Sequence, residues 1–215
     1  MSNLASIKNI IFDLGGVILD LNYQATIDAF VEMVIKDFSN LYSQKEQKQI
    51  FDDFEIGKIN SSQFILSIQS LTQNSISKDE IITAWNAMLL EINPKKLDYL
   101  LSIKERFRIF LLSNTNEIHI SKFEGVLAKK NELKKFYDCF EKVHYSSRLS
   151  LRKPNVDCFK TVLEINNLNA SETIFIDDSV QHIEGAKNCG IKGYLFPQNY
   201  AIQAWLPDII QPKHH

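Results

Sequence analysis

Ile7-Lys8-Asn9-Ile10-Ile11-Phe12-Asp13-Leu14-Gly15-Gly16 reads as a short buried strand that runs into an acidic residue and a glycine turn. The same design recurs twice downstream. Residues 107–112 (Phe-Arg-Ile-Phe-Leu-Leu) run into Ser113-Asn114-Thr115-Asn116, and residues 173–176 run into Asp177-Asp178. Shorter strand candidates lie at residues 142–145 and 192–196. Helical patterns separate them: Pro94 opens a helix, and residues 118–136, 154–165 and 180–189 follow, with Gly190 closing the last. Strands that alternate with helices imply a parallel sheet covered on both faces. Such sheets bind ligands beyond the carboxyl ends of their strands. Asp13, Ser113, Asp177 and Asp178 all fall there, and Lys153 stands just ahead of a helix start.

One segment breaks the rhythm. After the apolar run Val17-Ile18-Leu19, residues 23–90 carry helical spacing (Ile27, Phe30, Val31, Val34, Phe38; then Ile50, Phe51, Phe54; then Phe64, Ile65, Ile68, Leu71) with no strand signal. Ser77-Lys78-Asp79-Glu80 is a capping-box pattern ahead of Ile81, Ile82, Trp85, Met88 and Leu89. About four helices are expected, inserted over the sheet. The expected division is a Rossmann-like core of residues 1–21 and 91–215 and a small helical cap of residues 22–90. The break near Phe54, Ile56, Gly57, Lys58 and Phe64 is a natural place for a selectivity loop; an aromatic at helical spacing is also what a core uses.

Composition narrows the class. The chain has 215 residues, 24 Lys plus Arg against 26 Asp plus Glu, and a net charge of −2. That balance lacks the basic excess of a nucleic-acid binder. No apolar run approaches the roughly 18 residues of a membrane span. Residues 1–9 contain no apolar signal region. Three cysteines, Cys139, Cys158 and Cys189, without a CxxC fit a reducing cytoplasm better than a disulfide framework. His214 and His215 end the chain and receive no role.

Taken singly, each polar residue has a plain structural use: Asp13 in a turn, Ser113-Asn114 and Asp177-Asp178 as helix caps, Lys153 in solvent. Together, three carboxylates and a lysine at one sheet mouth are what a divalent cation and a phosphate need. A carboxylate can also attack phosphorus.

The ordered set Phe12-Asp13-Leu14-Gly15-Gly16-Val17, Leu112-Ser113-Asn114, Arg152-Lys153-Pro154 and Ile176-Asp177-Asp178-Ser179 resembles the four motifs of the haloacid dehalogenase-like hydrolases. The wording is similar to the branch with bacterial α-glucose-1-phosphate phosphatases and the phosphatase domain of soluble epoxide hydrolases. The resemblance implies a phosphatase of small phosphorylated metabolites, a sugar 1-phosphate among them, working as a monomer or homodimer through an aspartyl-phosphate. By it Asp13 is the nucleophile. Mg²⁺ is held by Asp13, the Gly15 carbonyl and Asp178, with Asp177 as a further ligand or an orienting group. Ser113 and Asn114 bind the phosphoryl group, and Lys153 stabilises its charge. Two alternatives remain: a metal-free 2-haloacid dehalogenase, and a weakened member kept for binding or regulation.

Three positions depart from the family pattern. Gly15 stands where a second, acid–base aspartate is usual, which implies slower turnover and a preference for leaving groups that need little protonation. Asp20 is either a substitute acid or a turn carboxylate. Ser150 stands where glycine often precedes the Lys-Pro pair, and His182 stands where Asn or Asp is common. His182 is either a partner of an acid or the lysine loop, or a partly exposed helix residue.

Overall fold

The computed structural model describes residues 7–33, 38, 42, 48–71, 76–198 and 200–210. Val34, His214 and His215 lie outside them.

β1 (Asn9–Phe12) occupies the centre of a five-stranded parallel sheet of order β5-β4-β1-β6-β7, with β4 (Arg108–Ser113), β5 (Lys142–Tyr145), β6 (Thr173–Asp177) and β7 (Lys192–Leu195). The alternation of side chains explains why its strands read as unbroken apolar runs. Ile10, Phe12, Ile109, Leu111, Ile174 and Ile176 pack into one buried cluster, while Ile11, Phe110, Leu112 and Phe175 pack into another on the opposite face. Phe12 is in register with Leu111 and Ile176, so the strand ends that carry Asp13, Ser113 and Asp177 arrive side by side.

Helices α5 (Pro94–Ile103), α6 (Glu117–Lys129), α7 (Leu133–Asp138), α8 (Ser146–Leu149), α9 (Val156–Ile165) and α10 (Val180–Lys187) connect the strands, and α11 (Ile202–Ile210) closes the chain. The helical pattern over residues 118–136 is therefore two helices, broken near Asn131, whose φ is +58°. α11 was invisible to pattern reading because Pro207 sits inside it. Ile202, Leu206 and Ile210 carry it by packing onto the core.

Between β2 (Leu19–Leu21) and β3 (Leu89–Ile92) lie α1 (Tyr23–Glu32), α2 (Gln49–Glu55), α3 (Ser61–Leu71) and α4 (Lys78–Asn86), four helices among the described residues, as expected. The Ser77–Glu80 capping box forms at the start of α4. These helices bury their own aromatic cluster, in which Phe54 stacks on Phe64 at 4.4 Å and Phe51 on Trp85 at 5.4 Å. Phe54 thus belongs to that core. β2 and β3 pair antiparallel at the two points where the chain enters and leaves the helical layer. β3 contradicts the reading of residues 23–90 as uninterrupted helix. Its four residues gain strand structure only from a partner some 70 positions away, which no local pattern reveals.

Candidate active site

Asp13 follows β1, and its backbone N–H donates to the Ile176 carbonyl at 2.8 Å, which ties it to the β6 end. Its carboxylate Oδ1 lies 2.7 Å from Lys153 Nζ. Lys153 is wholly buried, and the same Nζ lies 2.7 Å from Asp177 Oδ2. One ammonium therefore bridges two carboxylates.

The lysine is positioned from its backbone. Asn114 Oδ1 accepts from the Lys153 N–H at 2.9 Å, and Asn114 Nδ2 donates to the Lys153 carbonyl at 2.8 Å. Both ends of that amide are engaged. Ser113 ends β4 nearly buried, its hydroxyl making one long 3.5 Å contact with the Asn114 carbonyl. Upstream, Ser150 sits at φ +57°, a left-handed conformation that explains why glycine suits the position.

The two adjacent acids separate in function. Asp177 is fully buried: Oδ1 accepts from the Ser179 N–H at 2.8 Å, and His182 Nδ1 lies 3.0 Å from both oxygens. Burial alone would raise its carboxyl, but Lys153 and His182 outweigh it and hold it at about 2. Asp178 instead lines the same cavity as Asp13, Gly15, Ser113 and Asn114, a cavity of about 100 Å³. Burial, reinforced by the Asp13 and Asp177 charges, pushes Asp178 up to about 7. Burial also pushes Asp13 up to about 6; Asp177 adds to this and Lys153 opposes it.

Two carboxylates facing one cavity and resisting ionisation form a donor set that a divalent cation completes, because a cation reverses that cost. Among the described residues, carboxylate oxygens of Asp13 and Asp177 and a ring nitrogen of His182 also cluster within 4.8 Å. That space already holds the Lys153 ammonium, so the cavity side of Asp13 and Asp178 fits an ion better. A measurable consequence follows for stability. Ordinary carboxyls titrate near 3.8, so without metal these two groups cost the fold stability as pH rises from about 4 through about 7, where both must ionise, and buried neutral His119 offsets part of that loss. Melting curves of the EDTA-treated protein are expected to show Tm falling over that window. Mg²⁺ added at pH 8 is expected to raise Tm, and a flat profile would contradict the geometry.

The departures also resolve. A Cβ on Gly15 would meet Leu21 Cδ1 at 2.6 Å, the far end of a flexible side chain that must shift to admit any larger residue there. Gly16, at φ +73°, lies where a Cβ would strike Asp178 Oδ2 at 2.2 Å, so the turn packs directly on that carboxylate. Asp20 points elsewhere: its Oδ1 accepts from Lys96 Nζ at 2.7 Å beside a different cavity, and the same Nζ donates to the Val17 and Ile18 carbonyls. It braces the turn through Lys96, beside a cavity that shares Leu21, Tyr23 and Asp178 with the first. His182 does reach the site, through Asp177.

The cavity wall also contains residues the motifs did not reveal: Tyr23, Tyr42, Glu55, His119 and Arg152. Arg152 alone had a signal, as the neighbour of Lys153. His119 is lowered to about 4 by burial and stays neutral, its Nε2 3.0 Å from the Trp85 carbonyl.

Among the described residues, no helix is long and apolar enough to cross a membrane. The chain is 30% identical over 195 residues to a D-ribitol-5-phosphate phosphatase of Bacteroides thetaiotaomicron, covering 91% of this chain and 94% of that protein. A crystal structure of a HAD family enzyme from the same organism, an alanine variant in complex with magnesium and inorganic phosphate, superposes with a TM-score of 0.82 at 32% identity, over 91% of this chain and 96% of that one. A HAD-like family hydrolase from Porphyromonas gingivalis gives 0.85 at 27% identity, over 97% and 100%. The sequence profile of the haloacid dehalogenase-like hydrolases matches residues 10–195, and with it the chain is placed: it belongs to that family of hydrolases.

Proposed function

We propose that this chain is a Mg²⁺-dependent phosphatase that hydrolyses a small phosphorylated metabolite through an aspartyl-phosphate on Asp13. The observation that carries the reading is the buried Lys153 bridge, which leaves Asp13 and Asp178 facing one cavity. A Coulomb anchor of this kind aims the Asp13 carboxylate while offsetting the charge of an incoming phosphate.

In this reading an Asp13 oxygen attacks phosphorus and the bond to the leaving alcohol breaks, the alcohol taking a proton from solvent. Water then attacks the phosphorus of the aspartyl-phosphate, which frees inorganic phosphate and restores the carboxylate. Lys153 neutralises charge on Asp13 and the phosphoryl oxygens. Ser113 offers its hydroxyl to those oxygens. Asn114 contributes its main chain there, and its amide holds the lysine loop. Mg²⁺ is held by Asp13, the Gly15 carbonyl and Asp178, and when bound it supplies positive charge to both carboxylates and the phosphate. Asp177, with both oxygens engaged, orients Lys153, and His182 steadies Asp177.

Residues 22–90 serve as the cap and residues 1–21 and 91–215 as the core. Their separate apolar clusters support this division, and the β2–β3 pair supplies the two connections. Three cysteines without a disulfide suit a cytoplasmic enzyme, monomer or homodimer.

Hydrolysis of p-nitrophenyl phosphate with Mg²⁺, lost in EDTA, tests the reading. No turnover under either condition would reduce the chain to a binding protein. Release of halide from 2-chloropropionate in EDTA would favour the dehalogenase, a reading weakened by Asp178, a second carboxylate lining the cavity of the nucleophile. The missing aspartate predicts that an anomeric sugar 1-phosphate turns over faster than a primary alkyl phosphate. The B. thetaiotaomicron relative is named for an alkyl phosphate, so the two classes belong in one assay.

A further inference from the structure

We propose that Lys96, on α5, is a positioning residue for the cation site. It holds the turn of residues 14–19 from the core, so that Gly15 keeps its place in the cavity of Asp13 and Asp178, and it thereby sets the affinity for Mg²⁺ over larger cations. The inference rests on the Mg²⁺ reading above and adds to it what fixes the main-chain ligand.

The turn first closes on itself. The Gly16 N–H donates to the Leu19 carbonyl at 2.9 Å, and the Ile18 and Leu19 N–H groups both donate to the Leu14 carbonyl, at 2.9 and 2.8 Å. Those bonds use the Leu14 and Leu19 carbonyls. The carbonyls of Val17 and Ile18, two wholly buried residues, accept instead from Lys96 Nζ at 3.0 and 3.2 Å. Asp20 Oδ1 accepts from the same Nζ at 2.7 Å. An ammonium has three N–H donors, and these three acceptors match them. Buried carbonyls need donors, so the lysine supplies what the turn leaves open.

Nothing on α5 itself favours a lysine here. Lys96 stands in the first turn, behind the Asn93 cap and Pro94, where the helix dipole opposes a positive charge, and it is nearly buried. The three hydrogen bonds offset both costs. The helix is a firm anchor: Leu97, Leu100 and Ile103 pack in the same apolar cluster as Val17, Ile18 and Leu19. Only Asn93 separates α5 from β3, whose Ile92 pairs with Leu19. Lys96 therefore ties together the two points where the chain enters and leaves the helical layer.

Little slack lies between this anchor and the cation site. Gly15 bridges to Leu19, and Gly16 packs on the Asp178 carboxylate. A side-chain ligand can adjust by rotation, whereas a carbonyl moves only with its backbone. Mg²⁺ demands near-octahedral geometry at about 2.0–2.1 Å, while Ca²⁺ accepts looser shells at about 2.3–2.6 Å. A turn released from Lys96 is therefore expected to lose Mg²⁺ more than Ca²⁺. Charge acts the other way. Deleting a nearby ammonium by itself strengthens a cation site, so weaker Mg²⁺ binding without it reports position.

The experiment titrates the EDTA-stripped protein with Mg²⁺ and with Ca²⁺ and reads each Kd from the rise in Tm, in the parent, Lys96→Met, Lys96→Arg and Asp20→Asn. Lys96→Met is expected to raise the Mg²⁺ Kd by about tenfold or more and the Ca²⁺ Kd by less than about threefold. Where Lys96→Met does not fold, Lys96→Arg takes its place: it keeps the charge and donors for the carbonyls but swaps a compact ammonium for a larger planar fork, and is expected to shift the two constants apart in the same direction by about threefold or more. Asp20→Asn keeps an acceptor for Nζ and removes only a half-exposed charge, so both constants are expected to stay within about twofold. Mg²⁺ binding that is unchanged or tighter in the deciding Lys96 variant, or Mg²⁺ and Ca²⁺ weakened equally, overturns the proposal and leaves Lys96 a brace of the turn only. A parent that responds to neither cation overturns the metal reading, and this proposal with it.

Discussion

Asp13→Asn is expected to remove hydrolysis of p-nitrophenyl phosphate, lowering kcat by at least about 10³-fold, while the protein stays folded. An amide oxygen is too weak a nucleophile to displace an alcohol from phosphorus, and no neighbouring group replaces it. Asp177 is locked to Lys153, Ser179 and His182. Stability should move the other way from activity. Burial holds the Asp13 carboxyl up at about 6, so its ionised form costs the fold free energy at pH 8. The neutral amide removes that cost, and the metal-free variant is expected to melt at or above the parent temperature. Loss of activity with a lowered Tm would point to a structural residue. Retained activity would remove Asp13 from the mechanism.

Lys153→Met is expected to be the most damaging single change. It leaves the Asp13 and Asp177 carboxylates facing each other across the buried position that the Lys153 ammonium held. Removing one partner of a buried ion pair typically costs about 3–5 kcal/mol, because a charge is left without compensation. Urea unfolding at pH 8 should register that loss, with activity below detection. The loss should shrink toward pH 4, where the stranded carboxyls, no longer held down by the ammonium, take up protons. Adding Asp177→Asn to the variant should restore part of the stability without restoring activity. Equal stability of Lys153→Met and the parent would mean that the lysine does not bridge the two acids.

The sheet was legible because its strands are buried on both faces. Residues 9–12, 108–113 and 173–177 are apolar runs that end abruptly in polar residues, and a parallel sheet requires both features. The ordered residues at those ends carried the family resemblance, and the family is confirmed. β3 and α11 were not legible. The first is held by a distant strand, and the second forms in spite of Pro207.

Roles within the site were only partly readable. Adjacent letters do not reveal that Asp177 turns inward to the lysine while Asp178 turns to the cavity. That division comes from the packing of Ser179, His182 and Gly16 around them. That the Asn114 amide clamps the lysine backbone was not readable from its place beside Ser113. Asp20 had two readings until Lys96, from α5, was found to hold it.

Local pattern and residue order were enough for the parallel sheet, the inserted helices and the chemistry gathered at the strand ends, because burial periodicity and strand termini are written into neighbouring residues. Which acid faces the cavity, how Leu21 comes to lie against Gly15, and how Glu55 meets Arg152 across 97 positions depended on the folded chain. Those facts are distances between remote segments, and distance across a fold is set by packing that no short stretch of sequence encodes.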